Sequence, residues 1–570
     1  MSGRLARLSA RIRSPLGLIL CGVLLLHAVG LWWGLPSTSG WDDDGVAPRD
    51  FLVGVVRTFT PGSYYTYPPL HVLILTALTL PVWTAELVLA PSLSPESLVH
   101  AFLNVPCMTA FALVARAVAV AMSLGVVYAL AKVGEELRGR RAGLMVAVVV
   151  GLNAPFTYYA HTSNLEVPYC CWASFALLYF VRALARRSPV ELRSAGVFAA
   201  LAVSTKDQAA ALFLLGCPLG LAAWFALDAW ARENPRPILK QVALAGALSL
   251  GMVLAIDGAV YNPLGLRARI GFMLGTASQD HASYAETLSG RFFVLRDAVL
   301  NFSRFYPAPF AALACIGLVA AGGSRSKRAA GLAPLLLSVS FLALFNCLAR
   351  RTDERFLLPQ MLFLGVYAGL GLDAALFSVP ASAGRLLLRL AALPLLAWAL
   401  FECAAVDVTL LCDTRYDAEA WLRAHVRPGE SLEVYGNLVY LPRLPAQARV
   451  VRVDKKPVDK RSPLVGAKEL VAPFEDIEQR KPQWIVLTET QVWPYLVDPS
   501  EVQRMGRILT PGQLAAQRDP AREYFRDLVA ERAGYRVAHV SEWTSTFWPV
   551  VQIHASTGQR VRIFERVNSS

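Results

Sequence analysis

Long apolar stretches recur through the first 411 residues, separated by short clusters of arginine and lysine, and they decide what this chain can fold into. A helix needs about 20 mostly apolar residues to cross the ~30 Å hydrocarbon layer of a bilayer. Only helices and closed barrels satisfy their backbone polar groups there. The first stretch, residues 16–36, follows Arg4, Arg7, Arg11 and Arg13. A secretory leader also begins with a basic end, but this run approaches spanning length and no A-x-A cleavage site follows it. It reads as an uncleaved first span with its basic end in the cytoplasm.

Further basic clusters fall at residues 132–141, 182–193, 232–240, 325–328 and 385–389. The positive-inside rule places each in the cytoplasm. Spans are then expected near 105–131, 142–156, 167–185, 194–205, 209–230, 241–260, 309–322, 331–349, 356–378 and 386–411, about eleven with the first. An odd count with the N-terminus inside leaves the end of the chain outside. The stretch 70–90 is long enough to cross. Parity instead lays it along, or dipping into, the outer face, within an outer loop spanning 37–104.

After residue 411 the pattern changes. Residues 417–426 have helical spacing, and 431–435, 449–453, 484–488, 535–540 and 560–564 read as strands. The fold class is therefore a polytopic α-helical membrane module, 1–411, followed by a small soluble α/β domain, 412–570, on the outer side. Charged residues are 17% of the chain, below the ~25% of soluble domains. The net charge of +13 sits largely in the clusters between spans, and no basic face with interleaved aromatics suggests nucleic acid. None of the nine cysteines lies beyond Cys412 or in paired C-x-x-C spacing, which excludes a disulfide framework in the tail.

The chemistry-bearing residues gather on the outer segments. Asp42, Asp43 and Asp44 follow the first span. Adjacent carboxylates repel, which raises the apparent pKa of the group and favours a nearby cation or proton; Asp and Gly are also ordinary turn residues. Tyr67 and His71 flank Pro68-Pro69-Leu70, where tyrosines suit a membrane interface. Lys206, Arg350, Arg351 and Arg355 supply positive charge, although arginines at span ends also snorkel to headgroups. The loop 261–309, with Arg267, Arg269, His281, Tyr284 and Arg291, is placed to cover a substrate. His161 and Glu166 fall on another outer turn, expected to be hydrated.

In order and spacing these elements resemble the GT-C superfamily of membrane glycosyltransferases, which includes protein O-mannosyltransferases, the aminoarabinose transferase of lipid A and dolichyl-phosphate-mannose mannosyltransferases. Asp42-Asp43-Asp44 is similar to the family's D-D or D-x-D in the first outer loop, and Tyr67-Pro68-Pro69-Leu70 follows. Ser204-Thr205-Lys206 resembles its small-T-K element, and Glu354-Arg355-Phe356-Leu357 with Pro359 its E-R-F-L-x-P element. Asp413-Thr414-Arg415 with Trp421 resembles the tails of bacterial members.

The resemblance implies a polyprenyl-phosphate-linked sugar donor, a hydroxyl acceptor and transfer with inversion. The base would be one of Asp42, Asp43 and Asp44. Lys206, Arg350, Arg351, Arg355, Glu354, Tyr67 and His71 would bind the lipid phosphate or sugar. It leaves a divalent cation open. No G-x-x-x-x-G-K-[ST] loop points to a nucleotide donor. Heavy use of Arg over Lys suggests a bacterial inner membrane. The competing class is a transporter or flippase for a lipid-linked or anionic substrate, which usually shows two related halves; none is visible.

Overall fold

The computed structural model describes residues 14–275, 279–323, 325–378, 383–457, 466–551, 553–554 and 557–567. Arg4, Arg7, Arg11 and Arg13 lie outside the described residues. Among those described, eight helices are long and apolar enough to cross a membrane. The number is ten if two bent pairs each count as one span: Arg140–Gly151 with Ala154–Ala160, bent by 71°, and Leu288–Phe305 with Pro309–Ala321, bent by 104°. Two of the expected spans form shorter helices, Pro15–Ala28 of 14 residues and Glu191–Val203 of 13. At 1.5 Å per residue each covers only ~20 Å. The stretch 142–156 is interrupted at Asn153, whose side chain caps the next helix by accepting from the Phe156 N–H at 2.9 Å.

The two ends of the bundle differ in charge. At one end the basic clusters are tied together: Glu136 takes Arg182 and Arg186 and its carbonyl accepts from Lys327, while Asp373 pairs with Arg138 and Arg141. The acidic loop lies at the other. Helix Leu70–Leu89 begins with the Leu70 N–H on the Ser204 carbonyl at 3.0 Å. Near its far end Glu86 meets Asn104, which caps helix Val105–Arg138. Ser37 N–H donates to Thr109 in the first turns of that same helix, so both ends of Leu70–Leu89 touch the acidic-loop end of the bundle.

Helix Glu354–Asp373 carries Arg355 in its first turn and is held closely by Pro309–Ala321. A Cβ on Gly317 would overlap the Tyr367 carbonyl, and one on Gly371 would overlap that of Leu313, so this helix and Pro309–Ala321 touch backbone to backbone. Small residues allow such approach between membrane helices.

The tail forms one six-stranded sheet of β1 (Ser431–Tyr435), β2 (Arg449–Asp454), β3 (Lys468–Val471), β4 (Trp484–Thr488), β5 (Tyr535–Ser541) and β6 (Val561–Arg566), in the order β3-β2-β1-β4-β6-β5. The first four strands are parallel, and β6 runs antiparallel between β4 and β5. Helix Thr414–His425 leads into the sheet. Five strands coincide with the periodicity of the sequence. β3 does not announce itself, because Lys468-Glu469 gives a short, exposed edge no apolar alternation.

Candidate active site

After the first helix the chain reverses through Gly34 and Gly40, both at positive φ. Gly34 packs so closely on Trp41 that a side chain there would collide with the indole. The loop then turns inward. Asp42 is 4% exposed. Its Oδ2 accepts the Ser163 N–H at 2.6 Å and lies 3.2 Å from the Ser163 hydroxyl. That hydroxyl has one hydrogen and a shorter contact, 2.6 Å, to the Ala47 carbonyl, so the backbone N–H is the firmer hold. Oδ1 is buried with no hydrogen-bond partner among the described residues. Burial pushes the Asp42 carboxyl up to about 6, against the pull of buried Arg116 and of the Ser163 bonds. The carboxylate is thus fixed by one oxygen and unpartnered at the other.

Asp43 and Asp44 face a different set of groups. Asp44 is ion-paired with Arg355. His554, from the connection between β5 and β6, places Nε2 3.7 Å from Asp43 and 3.9 Å from Asp44. The Tyr440 hydroxyl donates to Asp43, and burial with the Asp43 charge raises the Tyr440 pKa. Arg49 donates to the Asp43 carbonyl at 2.7 Å. Burial lowers the His554 pKa, with Asp43 opposing, which favours a neutral imidazole. Asp43, Asp44 and His554 each offer a ligand atom within 4.8 Å of the others. Two carboxylates and a neutral imidazole suit a divalent cation; Arg355 on Asp44 supplies part of the positive charge such an ion would bring.

The cations converge on one ring. Lys206 Nζ lies 5.8 Å from the centre of Phe356, and the guanidinium carbons of Arg351 and Arg355 lie 4.3 Å and 4.6 Å from it. Lys206 is ion-paired with buried Glu166. Arg351 reaches Asp353 only at 3.7 Å, and Tyr67 is close enough to act on the Arg351 charge. The structure therefore brings Asp42, Asp43, Asp44, Lys206, Arg351 and Arg355 to one end of the bundle.

Two expected residues, Arg350 and Glu354, are held by other partners. Arg350 donates to the Tyr284 carbonyl at 3.1 Å and to Gln279 at 3.3 Å, clamping the loop 261–309. Glu354 pairs with Arg304. His71 is buried, with Nδ1 unpartnered among the described residues. The turn 158–166 is not hydrated as expected: every residue in it is buried. His161 bonds the Thr157 carbonyl and meets Asp407, while Glu166 holds Lys206. Arg269, expected in the covering loop, is buried and pairs with Asp207 and Asp257. Sequence reading missed His554, Tyr440 and Ser163, which act across long stretches of chain and leave no local signal.

A helical bundle with an acidic first loop, a cationic turn opening a late helix and a small α/β domain set against both is an architecture with solved counterparts. ArnT from Cupriavidus metallidurans, bound to undecaprenyl phosphate, shares it: TM-score 0.50 at 16% identity, covering 83% of this chain and 93% of that one. Apo ArnT from the same organism gives 0.49 at 16% over the same shares. The apo oligosaccharyltransferase of Archaeoglobus fulgidus gives 0.42 at 15%, over 74% of this chain and 62% of that one. No family model matches the sequence, and no curated protein matches it.

Proposed function

We propose that this chain is an inverting glycosyltransferase that moves a sugar from a polyprenyl-phosphate donor to a hydroxyl acceptor on the outer side of the membrane. The observation that carries the reading is the meeting of Asp44 with Arg355, 311 residues apart, beside the oriented carboxylate of Asp42. The undecaprenyl phosphate held by the ArnT structure supports a polyprenyl-phosphate donor. Basic clusters gather at the opposite end of the bundle, which under the positive-inside rule supports an outer location for this site and the C-terminal domain.

Asp42 is the base. Its unpartnered Oδ1 takes the acceptor's hydroxyl proton as that oxygen attacks the anomeric carbon; the bond from that carbon to the phosphate oxygen breaks, and polyprenyl phosphate leaves as an anion. One displacement inverts the centre. A positioned base is worth about 10²–10⁴-fold, most when its pKa lies near the working pH. Arg351, Arg355 and Lys206 receive the leaving phosphate, the two arginines as planar forks. Asp43, Asp44 and His554 would hold a divalent cation, which supplies further positive charge to that phosphate when bound. Tyr67 stands beside Arg351 and shapes the same side of the site.

The test is transfer from a defined polyprenyl-phosphate sugar by protein in nanodiscs, with the anomeric configuration of the product read by NMR. Inversion in the wild type, with Asp42→Asn inactive but folded, supports the reading. Retention of configuration, or an active Asp42→Asn, overturns it.

A further inference from the structure

The segment joining β5 to β6 does more than connect two strands. It leaves the sheet at Ser541, runs down the side of the last apolar helix, Ala383–Leu411, and returns to deliver His554 to the acidic loop. Its tip is closed on itself: the Trp543 indole donates to the Trp548 carbonyl at 2.9 Å, and the Trp548 N–H donates to the Ser545 hydroxyl at 3.0 Å. Trp548 stacks on Phe401 of the last helix with centroids 5.0 Å apart and planes at 12°, and Phe547 meets the same ring edge-on at 5.8 Å. On the return, the Val551 N–H donates to the Thr409 hydroxyl and Ile553 packs into the core of the helical bundle.

The level at which the tip lies follows from length. The last apolar helix has 29 residues. At 1.5 Å each it rises ~43 Å, and ~30 Å of that suffices to cross the hydrocarbon, leaving about nine residues beyond it. Arg385 and Arg389 of the cytoplasmic cluster take up most of that excess at the inner end, so the outer boundary falls at about residues 405–410. Trp398 donates to Glu402 at 2.8 Å in the outer leaflet just below it. Phe401 is at this level, and so are the rings stacked on it.

Phe547 is 71% exposed, although it belongs to a domain outside the helical bundle. Its surroundings continue a surface that faces lipid. Trp398 is 52% exposed and Leu393 67%, and Leu386, Leu390 and Leu400 of the same helix are exposed at helical spacing. A phenylalanine and a tryptophan set against this face, at its interfacial level, find acyl chains and headgroups there rather than water.

We infer that the β5–β6 segment is a membrane-seated strap: Phe547 and Trp548 enter the bilayer interface beside the last helix, and the partner they bind is the lipid surface. The strap's two anchorages, lipid at its tip and the bundle core at Ile553, bracket the course that sets His554 against Asp43 and Asp44. This inference stands whether or not the chain transfers sugar.

The experiment uses the full chain in nanodiscs of phosphatidylethanolamine and phosphatidylglycerol, with p-benzoylphenylalanine placed in turn at positions 547, 393 and 514. Leu393 faces lipid on the last helix, and Leu514 is exposed on helix Pro511–Gln517 of the C-terminal domain. Irradiation should give lipid adducts by mass spectrometry at 547 and 393 and none at 514. As a second measurement, amide exchange over 543–551 should speed up by about tenfold or more in F547S/W548S, as expected when a locally docked segment is released. The inference is overturned if 393 yields lipid adducts and 547 does not, or if exchange is unchanged in the double variant.

Discussion

Asp42→Asn separates the cost of the buried carboxylate from its use. Asp42 is held up to about 6 by burial, against an ordinary value of 3.8. A carboxyl raised in the folded state is favoured as its neutral form. Its contribution to stability is fully present below pH 3.8 and is lost as pH rises through about 6. That rise corresponds to a penalty of ~3 kcal/mol at neutral pH, carried by keeping the charged carboxylate at a 4% exposed position. Asparagine keeps the oxygen that accepts the Ser163 N–H and removes the charge. Unfolding in mixed micelles at pH 4 and pH 7.5 reads the outcome. The difference between Asp42→Asn and wild type should shift in the variant's favour by up to ~3 kcal/mol between the two pH values, while transfer is lost. A difference that is the same at both pH values would refute the reasoning.

The other cations and contacts make separate forecasts. Lys206→Met strands the Glu166 charge in a buried position, costing about 3–5 kcal/mol; adding Glu166→Gln should restore most of that stability in the same unfolding assay without restoring transfer. Arg355→Met should lower kcat by about 10²-fold, with Arg355→Lys less impaired, because a lysine keeps the charge without the fork. Gly317→Val forces helix Pro309–Ala321 off the Tyr367 backbone, which should cost at least ~2 kcal/mol in the unfolding assay and reduce transfer by moving Arg355.

Much of this molecule was legible in its residues because the physics involved is local. Twenty apolar residues announce a helix wherever they occur, and the alternation in Ser431–Tyr435 and Trp484–Thr488 announces strands. The meeting of Asp44 with Arg355 was anticipated only through order and resemblance, since charges 311 residues apart share no period. Arg350 and Glu354 are the chain neighbours of Arg351 and Arg355, yet point elsewhere: the helix ends at Arg350 in a left-handed conformation, and one-residue steps on the next helix turn neighbours to different faces. The turn 158–166 reads as hydrated because it is polar; it is buried because the acidic loop and the last helix close over it, which no local pattern records.

The most direct test gives purified protein in sealed proteoliposomes a panel of radiolabelled polyprenyl-phosphate sugars with a hydroxyl acceptor. The account predicts label leaving the lipid for the acceptor, with polyprenyl phosphate released in equal amount and the reaction absent in Asp42→Asn. If label instead crosses the bilayer still attached to its lipid, and no acceptor is ever modified, the chain is a transporter and the account is contradicted.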